Sequence, residues 1–111
     1  MPEPSGPQLQ GSEFLNTMIK MDRLFMDQVR STQEIVYSDG VLPRKIKLLF
    51  AMAFDATHGA VSGVKSLAKA AMAAGATKEE IAEVLRVAFF LGGVGSIYAA
   101  SQGLKELFPA S

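Results

Sequence analysis

The sequence predicts an all-α protein, a bundle of about five helices in one domain, and three observations carry that expectation. Apolar residues recur at steps of three and four along most of the chain. The stretch GATKEEI, Gly75 to Ile81, is a helix-start signature set between two apolar helical patterns. No run of alternating apolar and polar residues competes as a strand. A length of 111 residues fits one domain.

The elements follow in order. Residues 1–11 hold three prolines and two glycines among polar residues and are expected to form a mobile tail, with a single helical domain over 12–111. Ser12 is a candidate N-cap, with Glu13 in the opening turn. Phe14, Met18, Met21, Phe25, Val29, Thr32 and Val36 then mark one face of a helix of about six turns. Ser38–Asp39–Gly40 stops it, and Gly40 suits a left-handed cap.

Pro43 is placed for the first position of a second helix, whose expected buried face is Ile46, Leu49, Phe50 and Ala53. A third helix carries Val61, Val64, Leu67, Ala68, Ala71 and Met72 inward and closes on Gly75. Thr77 and Glu80 form a capping box, with Ala76 and Ile81 as its hydrophobic staple. The fourth helix turns Ile81, Val84, Leu85, Ala88 and Leu91 inward. A glycine cluster, Gly92, Gly93 and Gly95, ends it. A last helix, about Ser96 to Leu107, presents Ile97, Ala100 and Leu104.

Charge and composition exclude several function classes. Eleven basic and eleven acidic residues balance, which leaves no electrostatic footprint for nucleic acid. The most apolar stretch, Val84 to Ala100, contains Arg86 and three glycines, so a buried helix pair fits it better than a membrane span. The N-terminal residues lack the basic and apolar regions of a signal peptide, and a cytoplasmic protein is expected. Without a cysteine there is no disulfide, no thiolate metal site and no sulfur nucleophile. The apolar surface added by Phe89, Phe90, Val94, Tyr98 and Ala99 is hard to bury in one small domain. Burial between identical subunits resolves this, so a homo-oligomer is expected. Pairing of the Phe89–Phe90 region with a different protein is the alternative.

Few residues offer chemistry. His58 is the only histidine. Asp55, His58, Ser62 and Lys65 are spaced three, four and three apart and would share one face if the helix ran through Gly59. A carboxylate one turn before a histidine makes a proton-transfer unit, so Asp55 and His58 are the catalytic candidates. The competing reading is a solvated helix junction, with Asp55 or Thr57 capping the next helix and Gly59 relieving the turn. One histidine and one carboxylate are too few ligands for zinc, and no cofactor is expected. The glycine cluster fits no nucleotide fingerprint and reads as close helix packing or a helix break.

The segments LPRKIKLLFAMAF and AAMAAGATKEEIAEVLRVAFFLGG, followed by a small-residue helix, resemble the carboxymuconolactone decarboxylase and AhpD-like alkylhydroperoxidase superfamily. The resemblance extends over about Leu42 to Leu107, and its most recognisable stretch is the box AGATKEEI followed by the pair Gly92–Gly93. It implies an AhpD-like helical bundle assembled as trimers or hexamers, with small-molecule pockets near subunit contacts. It also implies, in the redox branch, a Glu-x-x-Cys-x-x-Cys-x-x-x-His motif on the helix before the box. Those positions fall here on Thr57, Ala60, Gly63 and Leu67, and none carries the motif residue. The histidine of the lactone decarboxylase branch is also replaced by Leu67. The resemblance therefore implies the family without its thiol chemistry, and makes Thr57, Ala60, Gly63 and Leu67 pocket candidates. Tyr98 is a further pocket candidate read from the sequence itself, with packing near an interface as its other reading. A non-enzymatic oligomeric module on the same fold is the alternative function. Because no residue can become a sulfenic acid, purified protein is expected to turn over no organic hydroperoxide in a coupled peroxidase assay. Rapid turnover would overturn this reading.

Overall fold

The structure, a computed structural model, describes residues 15–109. The expected tail, the Ser12 cap, Glu13 and Phe14 lie outside the described residues. Six helices follow one another: α1 (Asn16–Met21), α2 (Arg23–Tyr37), α3 (Arg44–Thr57), α4 (Val61–Ala73), α5 (Lys78–Gly92) and α6 (Gly95–Leu104). The fold is all-helical among the described residues, as expected, but with one helix more than the apolar spacing indicates.

The extra helix arises at Asp22. Its backbone leaves the helical region (φ −147°, ψ 76°) and its carboxylate accepts the Phe25 amide at 3.1 Å. An aspartate that caps α2 thus splits the expected six-turn helix in two. Further on, Gly40 does not take the left-handed cap expected of it, since the positive-φ glycines are Gly59, Gly75 and Gly93. Ser38 ends α2 instead. Asp39 then caps the next helix from a distance, accepting the Arg44 amide at 2.7 Å, while Pro43 sits one position earlier than expected, as N-cap.

Two complete helix-ending motifs organise the centre. At the end of α3 the Ala60 amide donates to the Asp55 carbonyl (2.8 Å) and the Gly59 amide to the Ala56 carbonyl (3.2 Å). Ala76 and Gly75 repeat this at the end of α4, on Ala71 and Met72. Both motifs need a left-handed residue at the turn, and glycine supplies it at φ 74° and 104°. The first motif reverses the chain within three residues, so α4 folds back along α3 as a helical hairpin. At the start of α5 the capping box is present in full. Thr77 Oγ1 accepts the Glu80 amide (3.1 Å) and Glu80 Oε1 accepts the Thr77 amide (2.9 Å). The same carboxylate takes Lys45 Nζ at 3.0 Å, tying the start of α5 to the start of α3. The Thr77 amide and Lys45 hold Glu80 below the usual carboxylate range.

The core lies where α3, α4, α5 and α6 meet, around Leu48, Met52, Val64, Ala68 and Ile81. Gly103 brings α6 close to α4, where a Cβ would stand 2.8 Å from the Val61 carbonyl oxygen. Ser96 is buried and donates to the Ala88 carbonyl at 3.3 Å, while Gly92 packs against Thr57 and Ser96. Within the glycine cluster Gly92 is therefore close-packed, while Gly93 ends α5 at φ 88° and Gly95 faces open space.

Several faces differ from those expected. Phe50, Met72, Leu91 and Ile97 are exposed, while Leu48, Met52 and Ala56 take the inner face of α3. The expected stripe of α1 and α2 is also open, with Met21, Phe25 and Val36 exposed and Met26 buried instead. Helices that are apolar on more than one side do not disclose their inner face by spacing alone. No helix among the described residues is long and apolar enough to cross a membrane.

Thr77→Ala is expected to cost about 1 kcal/mol of stability by losing the cap. Gly103→Ala should cost about 1–3 kcal/mol by pushing a methyl into backbone that cannot yield. Urea denaturation measures both.

Candidate functional site

The turn after α3 decides which of the candidate residues meet. Because α3 ends at Thr57 and α4 begins at Val61, Asp55 and His58 are not on one helical face with Ser62 and Lys65. His58 is the exposed C-cap residue of α3. Its Nδ1 lies 2.8 Å from the Phe54 carbonyl oxygen, which also accepts the Thr57 hydroxyl at 2.7 Å. A carbonyl only accepts, so this contact places the ring proton on Nδ1. The imidazole also stacks on the Phe54 ring, with centroids 6.4 Å apart. His58 therefore closes a helix end, as the junction reading holds, and makes no hydrogen bond to Asp55. Lys65 turns away to an ion pair with Glu106 at 2.8 Å.

Asp55 points elsewhere. Its carboxylate lies over Gly63 of α4, where an added Cβ would overlap Oδ2 and stand 2.8 Å from Cγ. Glycine inside a helix costs about 0.5–1 kcal/mol relative to alanine, and here the missing side chain is what leaves room for the carboxylate. Among the described residues the Asp55 carboxylate makes no hydrogen bond and no ion pair. Burial pushes its carboxyl above the usual aspartate range, with the charge of His58 opposing.

Around Asp55 opens a cavity of about 680 Å³ lined by three helices. Ala51, Phe54 and Asp55 come from α3, Ser62, Gly63, Ser66 and Leu67 from α4, and Gln33 and Tyr37 from α2, with Leu15 at the edge. Each set follows helical spacing, three or four residues apart with their neighbours, so each is one face of its helix. Tyr37 is held in place from below, since Arg44 donates to its carbonyl oxygen at 3.2 Å. Its phenol is raised above the usual tyrosine range, first by burial and then by Asp55, with Arg44 opposing. It therefore stays protonated and able to donate near neutral pH.

Of the candidates named from sequence, Asp55, Gly63 and Leu67 line this cavity. His58, Thr57, Ala60 and Tyr98 do not: Thr57 packs on Gly92, and Ala60 and Tyr98 are exposed. Sequence reasoning missed Gln33, Tyr37, Phe54 and Ser66. The signal available was weak: Gln33 and Tyr37 are four apart on α2 at the edge of its apolar stripe. Ser62 was noted, but for a stripe that the turn breaks. Among the described residues no three of His, Cys, Asp and Glu cluster as metal ligands would.

The described residues thus form a helical fold with an open, part-apolar cavity bordered by one carboxylate, in a chain that holds no thiol. Comparison places the fold more narrowly. The sequence profile of the carboxymuconolactone decarboxylase family matches residues 23–106, and the chain belongs to that family. It is 32% identical over 83 residues to an uncharacterized protein of Methanocaldococcus jannaschii, covering 75% of this chain and 78% of that protein. No solved structure matches it. The absence of cysteine marks it as a divergent member.

Because the folded chain holds the Asp55 proton to higher pH than the unfolded chain does, stability falls as pH rises through the raised value. The penalty is absent below the ordinary value of 3.8 and persists at neutral pH. Asp55→Asn is expected to be more stable than the wild type near pH 7, with the difference closing as pH falls. Urea denaturation of both proteins across that range measures it, and a difference that grows on acidification would reverse the assignment.

Proposed function

We propose that this is a carboxymuconolactone decarboxylase family protein without thiol peroxidase chemistry, which binds a small molecule in the α2–α3–α4 cavity and uses Asp55 as its acid–base group. One observation carries this reading: the Asp55 carboxylate fills the space over Gly63, the position to which the family resemblance assigns the second cysteine. A carboxylate would thus stand where the redox motif has its second, resolving thiol. Burial that raises the carboxyl brings it nearer to neutral pH, where a group exchanges protons most usefully. Tyr37 stands as a hydrogen-bond donor on the facing helix, and Leu67, Ala51 and Phe54 supply apolar contact.

A cytoplasmic homo-oligomer, a trimer or hexamer, is part of the same reading. Phe90 and Leu91 on α5 are 82% and 75% exposed, more apolar surface than a monomer usually leaves in water. On α2, exposed Phe25 and Val36 belong to a shallow apolar groove that shares Gln33 and Tyr37 with the cavity. The cavity then lies beside a subunit contact.

Gly63→Ala tests the site. Alanine favours the helix, so α4 should persist, while the added methyl displaces the Asp55 carboxylate. In two-dimensional NMR with a panel of small neutral molecules, wild-type shifts should gather on Tyr37, Gly63 and Ser66, and the variant should bind severalfold more weakly. Shifts that gather instead in the α5–α6 groove around Leu85 and Phe108, or that are unchanged in Gly63→Ala, would overturn the proposal.

A further inference from the structure

The charge of the cavity wall is one-sided. Of its ten lining residues Asp55 is the one that carries a charge at neutral pH, and among the described residues no lysine, arginine or histidine lines the wall. The basic groups close by are engaged elsewhere. Arg44 donates to the Tyr37 carbonyl, His58 is bound to the Phe54 carbonyl, and Lys65 is paired with Glu106. From α4 the cavity receives only Ser62, Gly63, Ser66 and Leu67, and from α2 only Gln33 and Tyr37. A carboxylate that is half-buried and unpaired keeps an unmet demand for a positive charge or for hydrogen-bond donors. The aromatic rings of Tyr37 and Phe54 border the same space, and ring faces attract cations.

We propose that the cavity selects a small organic cation, a protonated primary or secondary amine with a compact apolar body, and disfavours carboxylates. The inference rests on the reading of this cavity as a ligand site and names the ligand class. The ammonium group pairs, from the cavity, with the Asp55 carboxylate, which lies against Gly63 of α4. The hydroxyls of Ser62 and Ser66 stand on the adjoining turns of α4 to accept remaining N–H groups, and Leu67 and Ala51 receive the apolar body. A carboxylate ligand would meet the Asp55 charge with no cation in the wall to offset it. Binding of a cation also supplies what burial removes, since a positive charge beside Asp55 favours its ionised form.

The test uses the full chain and three probes of one shape: benzylamine, phenylacetate and benzyl alcohol, titrated at pH 7 by two-dimensional NMR. Benzylamine is expected to shift Tyr37, Gly63 and Ser66 and to bind on the order of tenfold tighter than phenylacetate, the scale of one charged hydrogen bond. Asp55→Asn should remove that preference, and a wild-type-like dispersion of its amide signals shows that the variant is folded. Phenylacetate binding in the cavity as tightly as benzylamine would overturn the amine assignment and leave the ligand site standing. So would benzylamine binding that survives Asp55→Asn unchanged. If none of the three, benzyl alcohol included, shifts the cavity residues, the ligand-site reading falls and the amine assignment with it.

Discussion

The reversal of the chain at Gly59 is the constraint on which the rest depends. The Ala60 amide reaches back to the Asp55 carbonyl and the Gly59 amide to Ala56, and that pair of bonds is available only with Gly59 left-handed at φ 74°. α4 is thereby laid against α3, with Val64 and Ala68 set among Leu48, Met52 and Ala56 in the core. The same reversal has a chemical consequence. It turns the Asp55 side chain toward α4 while leaving His58 outside, bound to the carbonyl of the helix it terminates. A continuous helix would have joined Asp55 and His58 to Ser62 and Lys65. The turn instead joins Asp55 to Gly63.

What was legible in the sequence was mostly local. Thr77 and Glu80 are three residues apart and cap the same turn, and Gly75 needs only the preceding helix to act as its stop. Such features satisfy their hydrogen bonds within a few residues, so spacing reveals them. Inner faces were less legible. α3 carries Leu48, Leu49, Phe50, Met52 and Phe54 around most of its circumference, and only packing shows that Phe50 and Phe54 face outward. Asp22 shows a third case. Its side chain caps α2 perfectly well by local rules, yet the apolar rhythm running across it suggested one unbroken helix.

The site was half legible for the same reason. Asp55 stood out as the carboxylate beside the only histidine, and Gly63 and Leu67 stood out by family resemblance. His58, chosen as the partner of Asp55 by proximity along the chain, acts on that carboxylate through its charge but makes no hydrogen bond to it. Tyr37 lies eighteen positions before Asp55 and reaches the cavity through the docking of α2 on α3, a contact that no spacing rule encodes. Its electrostatic coupling to Asp55 follows from tertiary placement alone.

The absence of a side chain at Gly63 decides what α3 and α4 can hold between them. A side chain at position 63 and the carboxylate of Asp55 compete for one volume, since a Cβ there would stand 2.8 Å from Asp55 Cγ. The two arrangements are therefore alternatives, and a chain holding both would have to move Asp55 off α4. With Asp55 in that space its carboxylate is half-buried, and its charge weakens the folded state at neutral pH, a cost of the kind that binding sites retain. The glycine, the carboxylate and the open wall of the cavity are thus one feature, and the proposed ligand would relieve the cost by completing the carboxylate's hydrogen bonding.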